Sequence, residues 1–392
     1  MVYAHRPIYD ADSHIMELPD FLKKFADPGL RDEMPEIGYS ASSVTDEEVA
    51  EIMARGGRHS DEHIAEMLAM GDDLIAKAKE IQALGAFDGS ERSKAMDMLG
   101  FERQLVFATY GVVLPFSPSS KVSTEMRYAA TRAHNRHMSA FCGDDPRLMG
   151  VAVIPLDDLD EAIKELDRII DDPALTSVWV PHRPMGERSP GHIALDPFWA
   201  RLAEAGMPFL LHVGGAPLNT AKTWRDNGLP PTKDWLGGGE NVRTKDIAIL
   251  HQGPEAFISM MLLDGVFHRF PKLRGAAVEL GAAWVPQMLV RLDWVVDIWS
   301  RSDENIRNFD RKPSEQLTEQ MAFTPFVFED VGALAAQSND DLYLFSSDYP
   351  HVEGGRNPIA KFNGAMEQCS PEAHDKFYAE NFLRLFPHAR AA

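Results

Sequence analysis

Five side chains able to bind a cation or move a proton stand at the ends of short apolar runs. Asp12 and His14 end the run Pro7 to His14, His212 ends Pro208 to Val213, Glu279 ends Leu273 to Glu279, and Asp348 ends Leu342 to Asp348. If these runs are strands, residues two apart share a face, so Asp12 and His14 converge while Ser13 turns away. Imidazole and carboxylate together suit zinc, manganese or iron(II), and three or four such ligands leave a position open for water or substrate. Each piece has a plainer alternative. Asp-x-His can be a hydrogen-bonded strand end, His212 a core histidine, and Asp348 a turn or cap residue. A shared position at one end of four separate strands is what those alternatives leave unexplained.

Further donors follow the same runs. His182 and Arg183 come directly after Thr176 to Pro181, and an arginine there can clamp a substrate carboxylate through two parallel hydrogen bonds, or form a surface salt bridge. His351 lies three residues after Asp348 and Glu17 three after His14. Substrate contacts are expected from His182, Arg183 and His351, and a second metal set is conceivable from Glu17, His182, Glu279 and His351. Glu279 and His251 are the candidate proton-moving groups, since a carboxylate beside a metal-activated water can act as general base. Two other histidine pairs, His59 with His63 and His134 with His137, are expected on solvated helix faces.

The elements that must position these groups follow an alternating pattern. Eight short apolar runs appear: Pro7 to His14, Arg103 to Tyr110, Leu148 to Pro155, Thr176 to Pro181, Pro208 to Val213, Leu273 to Glu279, Gln320 to Phe326 and Leu342 to Asp348. Helical patterns occupy Glu125 to Phe141, Asp157 to Ile170, Pro197 to Ala205, Pro254 to Phe270, Trp284 to Ser300 and Phe328 to Gln337. The second of these, LDDLDEAIKELDRIIDD, repeats apolar residues at helical spacing and carries acids in its first turn, where the helix dipole favours them. Strands alternating with helices predict an α/β fold, a (β/α)8 TIM barrel whose working face lies at the C-terminal strand ends. One domain is expected over residues 1–392. Residues 20–90 form a helical insertion after the first strand, suited to a cap or subunit contact. The stretch Gly214 to Asp246 is a long loop after the fifth strand, a length typical of lids and binding loops.

Bulk properties narrow the class of function. With 392 residues, 44% hydrophobic and 25% charged, the chain can bury a large core. Sixty Asp and Glu against 39 Lys and Arg give a net charge of -21, which disfavours nucleic acid and anionic membranes. No apolar run approaches the roughly 18 residues of a membrane span, and no basic leader precedes an apolar stretch, so a cytoplasmic location is expected. Cys142 and Cys369 stand far apart, which indicates neither a disulfide framework nor a thiolate metal site.

At YDADSHIME, DPFWARLAEAGMPFLLHVGG, GVFHRFPKLRGAAVELGAAWVPQMLVRLD, LYLFSSDYPHVEGGRNP and AENFLRLF the chain resembles the amidohydrolase-related proteins that include aminocarboxymuconate-semialdehyde decarboxylase and the non-oxidative aromatic acid decarboxylases. That resemblance implies a divalent metal held by Asp12, His14, His212 and Asp348, zinc first, with manganese or iron as alternatives. Superfamily relatives with two metals often use a carboxylated lysine on the fourth strand; TSVWVP has none. Relatives commonly begin with His-x-His or Glu-x-His, and the decarboxylases carry a histidine where this chain has Glu279.

The replacement of that imidazole by a carboxylate tilts the expectation toward a metal-dependent hydrolase of a small, carboxylate-bearing substrate, with metal-activated water. Non-oxidative decarboxylation by the same site is the first alternative. A dinuclear iron or manganese centre for oxygen-dependent hydroxylation is the second, and an inactive barrel acting as a subunit partner the third. The resemblance also implies a homodimer.

Overall fold

Parallel strands packed between helices and a filled barrel interior are buried on both faces, and apolar residues dominate them. The computed structural model describes residues 6–39, 44–118, 120–184, 186, 188–216, 222–230 and 244–389. Its strands are β1 (Tyr9–Asp10), β2 (His14–Ile15), β3 (Arg103–Ala108), β4 (Leu148–Val153), β5 (Leu175–Trp179), β6 (Phe209–His212), β7 (Gly275–Val278) and β8 (Met321–Phe323). Every strand residue except Arg103 is buried. All pairings are parallel, in the order β1-β3-β4-β5-β6-β7-β8, with β2 also on β3.

The first predicted strand is thus split into β1 and β2, and the eighth is an extended segment rather than a regular ladder. That segment closes the barrel through bridges Phe323 to Tyr343 and Ser13 to Tyr349. Ala11 N donates to Phe345 O at 3.0 Å, Asp348 N to Asp12 O at 2.9 Å and His14 N to Tyr349 O at 2.8 Å. The backbone seam therefore runs through the residues that carry the candidate ligands. The interior is filled by Leu105, Phe107, Val153, Trp179, Leu210 and Val278, and a larger apolar layer separates the sheet from its helices. The architecture is the α/β barrel expected from the alternating pattern.

The crossover helices fall close to their predicted spans. Leu159–Ile170 is capped by the Asp158 side chain, which accepts from Glu161 N, and it buries Ala162, Leu166 and Ile169. The pattern expected from Pro254 to Phe270 is instead two helices, Gln252–Leu263 and Val266–Arg269, because Gly265 at φ 77° interrupts it.

Between β2 and β3 lie helices Asp46–Ala54, Asp61–Ala69, Leu74–Lys77 and Gly89–Leu99. Thr45 and Glu48 form a capping box on the first. The helix Asp61–Ala69 stops shortly before Gly71, which takes φ 57°. This segment is part of the core: Ile52, Leu74, Ile75, Ile81 and Leu84 are buried. Within the loop expected at Gly214 to Asp246, residues 217–221 and 231–243 lie outside the described residues.

The surface histidine pairs are corrected. His59 is buried, its Nδ1 2.7 Å from Glu91 Oε2 and its Nε2 2.9 Å from Ile81 O, and His63 Nε2 bonds Gln82 O at 2.8 Å. His134 is fully buried, and half-buried His137 stacks on Phe21 with ring centroids 4.1 Å apart. His134 and His137 share one face of helix Thr124–Cys142, whereas His59 lies before the Ser60 cap of helix Asp61–Ala69 with its ring 4.7 Å from that of His63, and neighbouring elements cover both pairs.

Candidate metal centre

Asp12, His14, His212 and Glu279 each offer one ligand atom, and these atoms lie within 4.8 Å of one another. Asp12 sits between β1 and β2, His14 begins β2, His212 ends β6, and Glu279 follows β7, whose Val278 is paired with His212. His14 Nε2 and His212 Nε2 are each 3.3 Å from Asp12 Oδ1. Glu279 Oε2 is 3.5 Å from His212 Nε2 and 3.9 Å from His14 Nε2. A second set, His14, Asp348 and His351, satisfies the same criterion and shares His14 with the first. Asp348 Oδ1 is 3.6 Å from His14 Nε2 and 3.1 Å from His351 Nδ1.

Hydrogen bonds at the far side of each ring decide which nitrogen faces the cluster. His212 Nδ1 bonds the Val213 carbonyl at 3.0 Å, and His14 Nδ1 bonds the Ala108 carbonyl at 3.3 Å. A carbonyl can only accept, so both Nδ1 atoms carry the proton and both Nε2 lone pairs turn inward. Thr109 Oγ1 donates to the Ile15 carbonyl at 2.9 Å and is 2.9 Å from His351 Nε2, so it accepts from that nitrogen and leaves the His351 Nδ1 lone pair toward Asp348.

The electrostatics fit a cation. Burial holds His14 and His351 down at about 4, as neutral imidazoles ready to act as ligands. Burial alone would raise Asp12, but the imidazoles of His212 and His14 outweigh it and keep the carboxyl below its ordinary range. Asp348 is pushed upward by burial and then by the Asp12 charge. His14 Nε2 has no hydrogen-bond partner although it is fully buried, which for a polar atom calls for a missing ligand. The donor set, two imidazoles and hard carboxylate oxygens without thiolate, suits a divalent ion of the zinc or manganese kind.

Backbone strain is concentrated here. Among the described residues, the non-glycine residues with positive φ are Glu80 at 56°, Glu279 at 53° and Asp348 at 54°. Left-handed conformations cost such residues of order 1 kcal/mol or more, and two of these three carry donors of the cluster. Thr324 Oγ1 accepts from Glu279 N at 2.8 Å and helps hold that turn.

The strand ends are anchored from below by buried polar groups that sequence reasoning missed. Asp10 accepts from Gln104 Nε2 at 2.7 Å, Ser347 Oγ at 2.6 Å and Ser347 N at 2.8 Å, tying β1 to β3 and to the closing segment. Arg92, fully buried on helix Gly89–Leu99, donates to the His14 carbonyl, to Gln104 Oε1 at 3.0 Å and to Gly85 O at 2.8 Å. Its guanidinium lies 5.2 Å from the Tyr349 ring centre. Asp10 had a legible signal, being two residues before Asp12 on one strand face; Arg92 had none.

Other expected site residues fall elsewhere. The Glu17 carboxylate accepts from the backbone N–H of Thr109 at 3.0 Å, Tyr110 at 3.0 Å and Gly111 at 2.7 Å, outside both donor sets. A Cβ at Gly111 would sit 2.9 Å from Glu17 Oε1, so glycine is needed there. His251 is half-exposed before helix Gln252–Leu263, 4.0 Å from Glu255, and is not brought into the cluster. Arg183 is half-buried and donates to the Phe116 carbonyl at 2.7 Å. His182 is buried near His212, and burial holds it down at about 3.

The profile of the family described as amidohydrolase matches residues 9–388 of the sequence. A search of curated proteins finds no match. Among solved structures, an amidohydrolase from Mycobacterium avium subsp. paratuberculosis is similar with TM-score 0.72 and 22% identity, over 97% of this chain and 99% of that one. A 2,6-dihydroxybenzoate decarboxylase from Rhizobium superposes with TM-score 0.62 and 18% identity, over 98% and 99%. A 5-carboxyvanillate decarboxylase from Novosphingobium aromaticivorans, solved with manganese and 4-hydroxy-3-methoxy-5-nitrobenzoic acid, superposes with TM-score 0.61 and 16% identity, over 98% and 96%.

Proposed function

The chain belongs to the amidohydrolase family, and from that premise we propose that it removes, without oxidation, the carboxyl group of a small hydroxylated aromatic acid at a divalent metal. The observation that carries this is the buried donor cluster at the mouth of a barrel similar in fold to aromatic acid decarboxylases, one of them solved with manganese. Asp12, His14 and His212 would hold the ion, with Glu279 and Asp348 beside it, and manganese is the ion favoured. A divalent ion there supplies Lewis acidity toward the substrate's carboxylate and neighbouring hydroxyl oxygen.

The chain's own part is positioning and proton supply. Asp348, whose carboxyl is pushed up to about 7 by burial and the Asp12 charge and which has His351 and Thr109 behind it, would carry the proton. As the bond between ring carbon and carboxyl carbon breaks, the electron pair stays on the ring carbon, carbon dioxide leaves, and the Asp348 proton takes its place. Phe107 and Trp179, whose rings lie 4.4 and 4.8 Å from that of His212, exclude water from the floor.

The hydrolase expected from the sequence stands as the second reading, favoured by the Glu279 carboxylate within the first donor set, where it could guide a proton from bound water. The test is incubation of manganese-loaded protein with 2,6-dihydroxybenzoate and 5-carboxyvanillate in water enriched in oxygen-18. Carbon dioxide in step with decarboxylated product, with no label in that product, is expected. No carbon dioxide from any hydroxylated aromatic acid would overturn the proposal, and label in the product of an amide, ester or lactone would establish hydrolysis. Metal analysis in the same experiment counts ions per chain; two irons would point to oxygen-dependent hydroxylation.

A further inference from the structure

A cavity of about 570 Å³ lies between the end of helix Leu74–Lys77 and the loop that follows Asp348 and His351. Its lining residues are Ala76, Lys77, Lys79, Val352, Gly355 and Arg356, three cations and no acid, in a chain whose net charge is -21. Another cavity, of about 630 Å³, has the opposite balance, with Asp293, Glu315, Glu319 and Asp341 against the single cation Arg384. The volume of the cationic one is that of a small-molecule site.

Its three cations are incompletely matched by the protein. Arg356 is exposed and makes no ion pair or hydrogen bond among the described residues. Lys77 is paired with Asp73 at 2.5 Å, but both side chains are 60% exposed, and water screens such a pair heavily. Half-buried Lys79 donates to the His351 carbonyl at 3.0 Å, which uses one of its three N–H groups. Asp348, Glu80 and Glu353 lie within electrostatic reach of that ammonium, yet burial outweighs them and holds Lys79 below its ordinary range. The Glu80 carboxylate turns to the loop, accepting from Val352 N at 3.3 Å.

We propose that this cavity binds a small dianion, phosphate or a dicarboxylate, between Lys77, Lys79 and Arg356. An ammonium and a guanidinium with N–H groups left over, around a space of this size, match oxygens that spread charge over several acceptors. Two negative charges balance cations that the fold leaves uncompensated. The hydrogen bond from Lys79 to the His351 carbonyl ties the site to the loop that carries Asp348 and His351, so the anion is held behind the metal centre rather than in it.

The experiment is calorimetric titration of manganese-loaded protein with inorganic phosphate, in chloride at constant ionic strength. One phosphate per chain is expected. Arg356→Gln, at an exposed side chain, should weaken it about tenfold with manganese content unchanged, and Lys79→Met should weaken it by a similar factor. No saturable binding, or binding that Arg356→Gln leaves intact, would overturn the site. Phosphate that is lost with the metal in His212→Ala but untouched by Arg356→Gln sits on the ion, which would refute it as well. Displacement of bound phosphate by benzene-1,3-dicarboxylate would show that the cavity takes carboxylates too, and failure to displace it would restrict the ligand to phosphate.

Discussion

Replacing His212 by alanine is the most direct probe of the centre. The side chain is fully buried, its Nε2 stands 3.3 Å from Asp12 and 3.5 Å from Glu279, and its Nδ1 is fixed on the Val213 carbonyl. A preorganised four-donor site of this kind is worth about 10–16 kcal/mol for zinc, so one donor represents about 3 kcal/mol, or on the order of a hundredfold in affinity. The consequence can be read without turnover. Metal at about 100 times the wild-type Kd stabilises the fold by about 2.7 kcal/mol, whereas a hundredfold weaker site at the same concentration yields only about 0.4 kcal/mol. Thermal unfolding with and without manganese should therefore show a rise of several degrees for the wild type and about one degree or less for His212→Ala. Elemental analysis after gel filtration should agree. Full metal occupancy in the variant, or an unchanged manganese-dependent rise in Tm, would refute the reasoning.

Three further outcomes are expected. Glu279→Gln removes a charge from the donor set and should raise the manganese Kd about tenfold, while His251→Gln, outside the cluster, should leave it unchanged; equal effects in calorimetric titrations would contradict the geometry. Arg92→Met strands the acceptors on His14, Gly85 and Gln104 and should cost about 3 kcal/mol in urea unfolding, together with weaker manganese binding through the displaced β2 backbone; a stable variant with wild-type affinity would count against the anchoring role. His134, away from the centre, is held down at about 4 by burial, so its folded form resists protonation. Its contribution is complete above the unfolded pKa of about 6.5 and is lost as the pH falls toward 4. His134→Gln should accordingly flatten the stability profile between those values, and parallel profiles from denaturant titrations would show that the imidazole is not the group responsible.

The sequence by itself determined which residue types stand at strand ends and in what order, because alternation within a strand and strand-helix alternation along the chain are local properties. From these the barrel followed, and with it the shared rim of Asp12, His14, His212, Glu279 and Asp348. Local pattern could not measure distance across the barrel. Only the tertiary structure decided that Glu279 enters the same donor set as His212, through the pairing of β6 with β7, and that His351 stacks over His14 at 4.0 Å. It also decided that Glu17 is taken up by three backbone N–H groups, that His251 stays outside, and that His59 and His134 are buried. The physical reason is common to all of them. Spacing along a helix or strand specifies a face, but what covers that face comes from elements far away in the chain, and the partners of a buried polar atom are set by that covering.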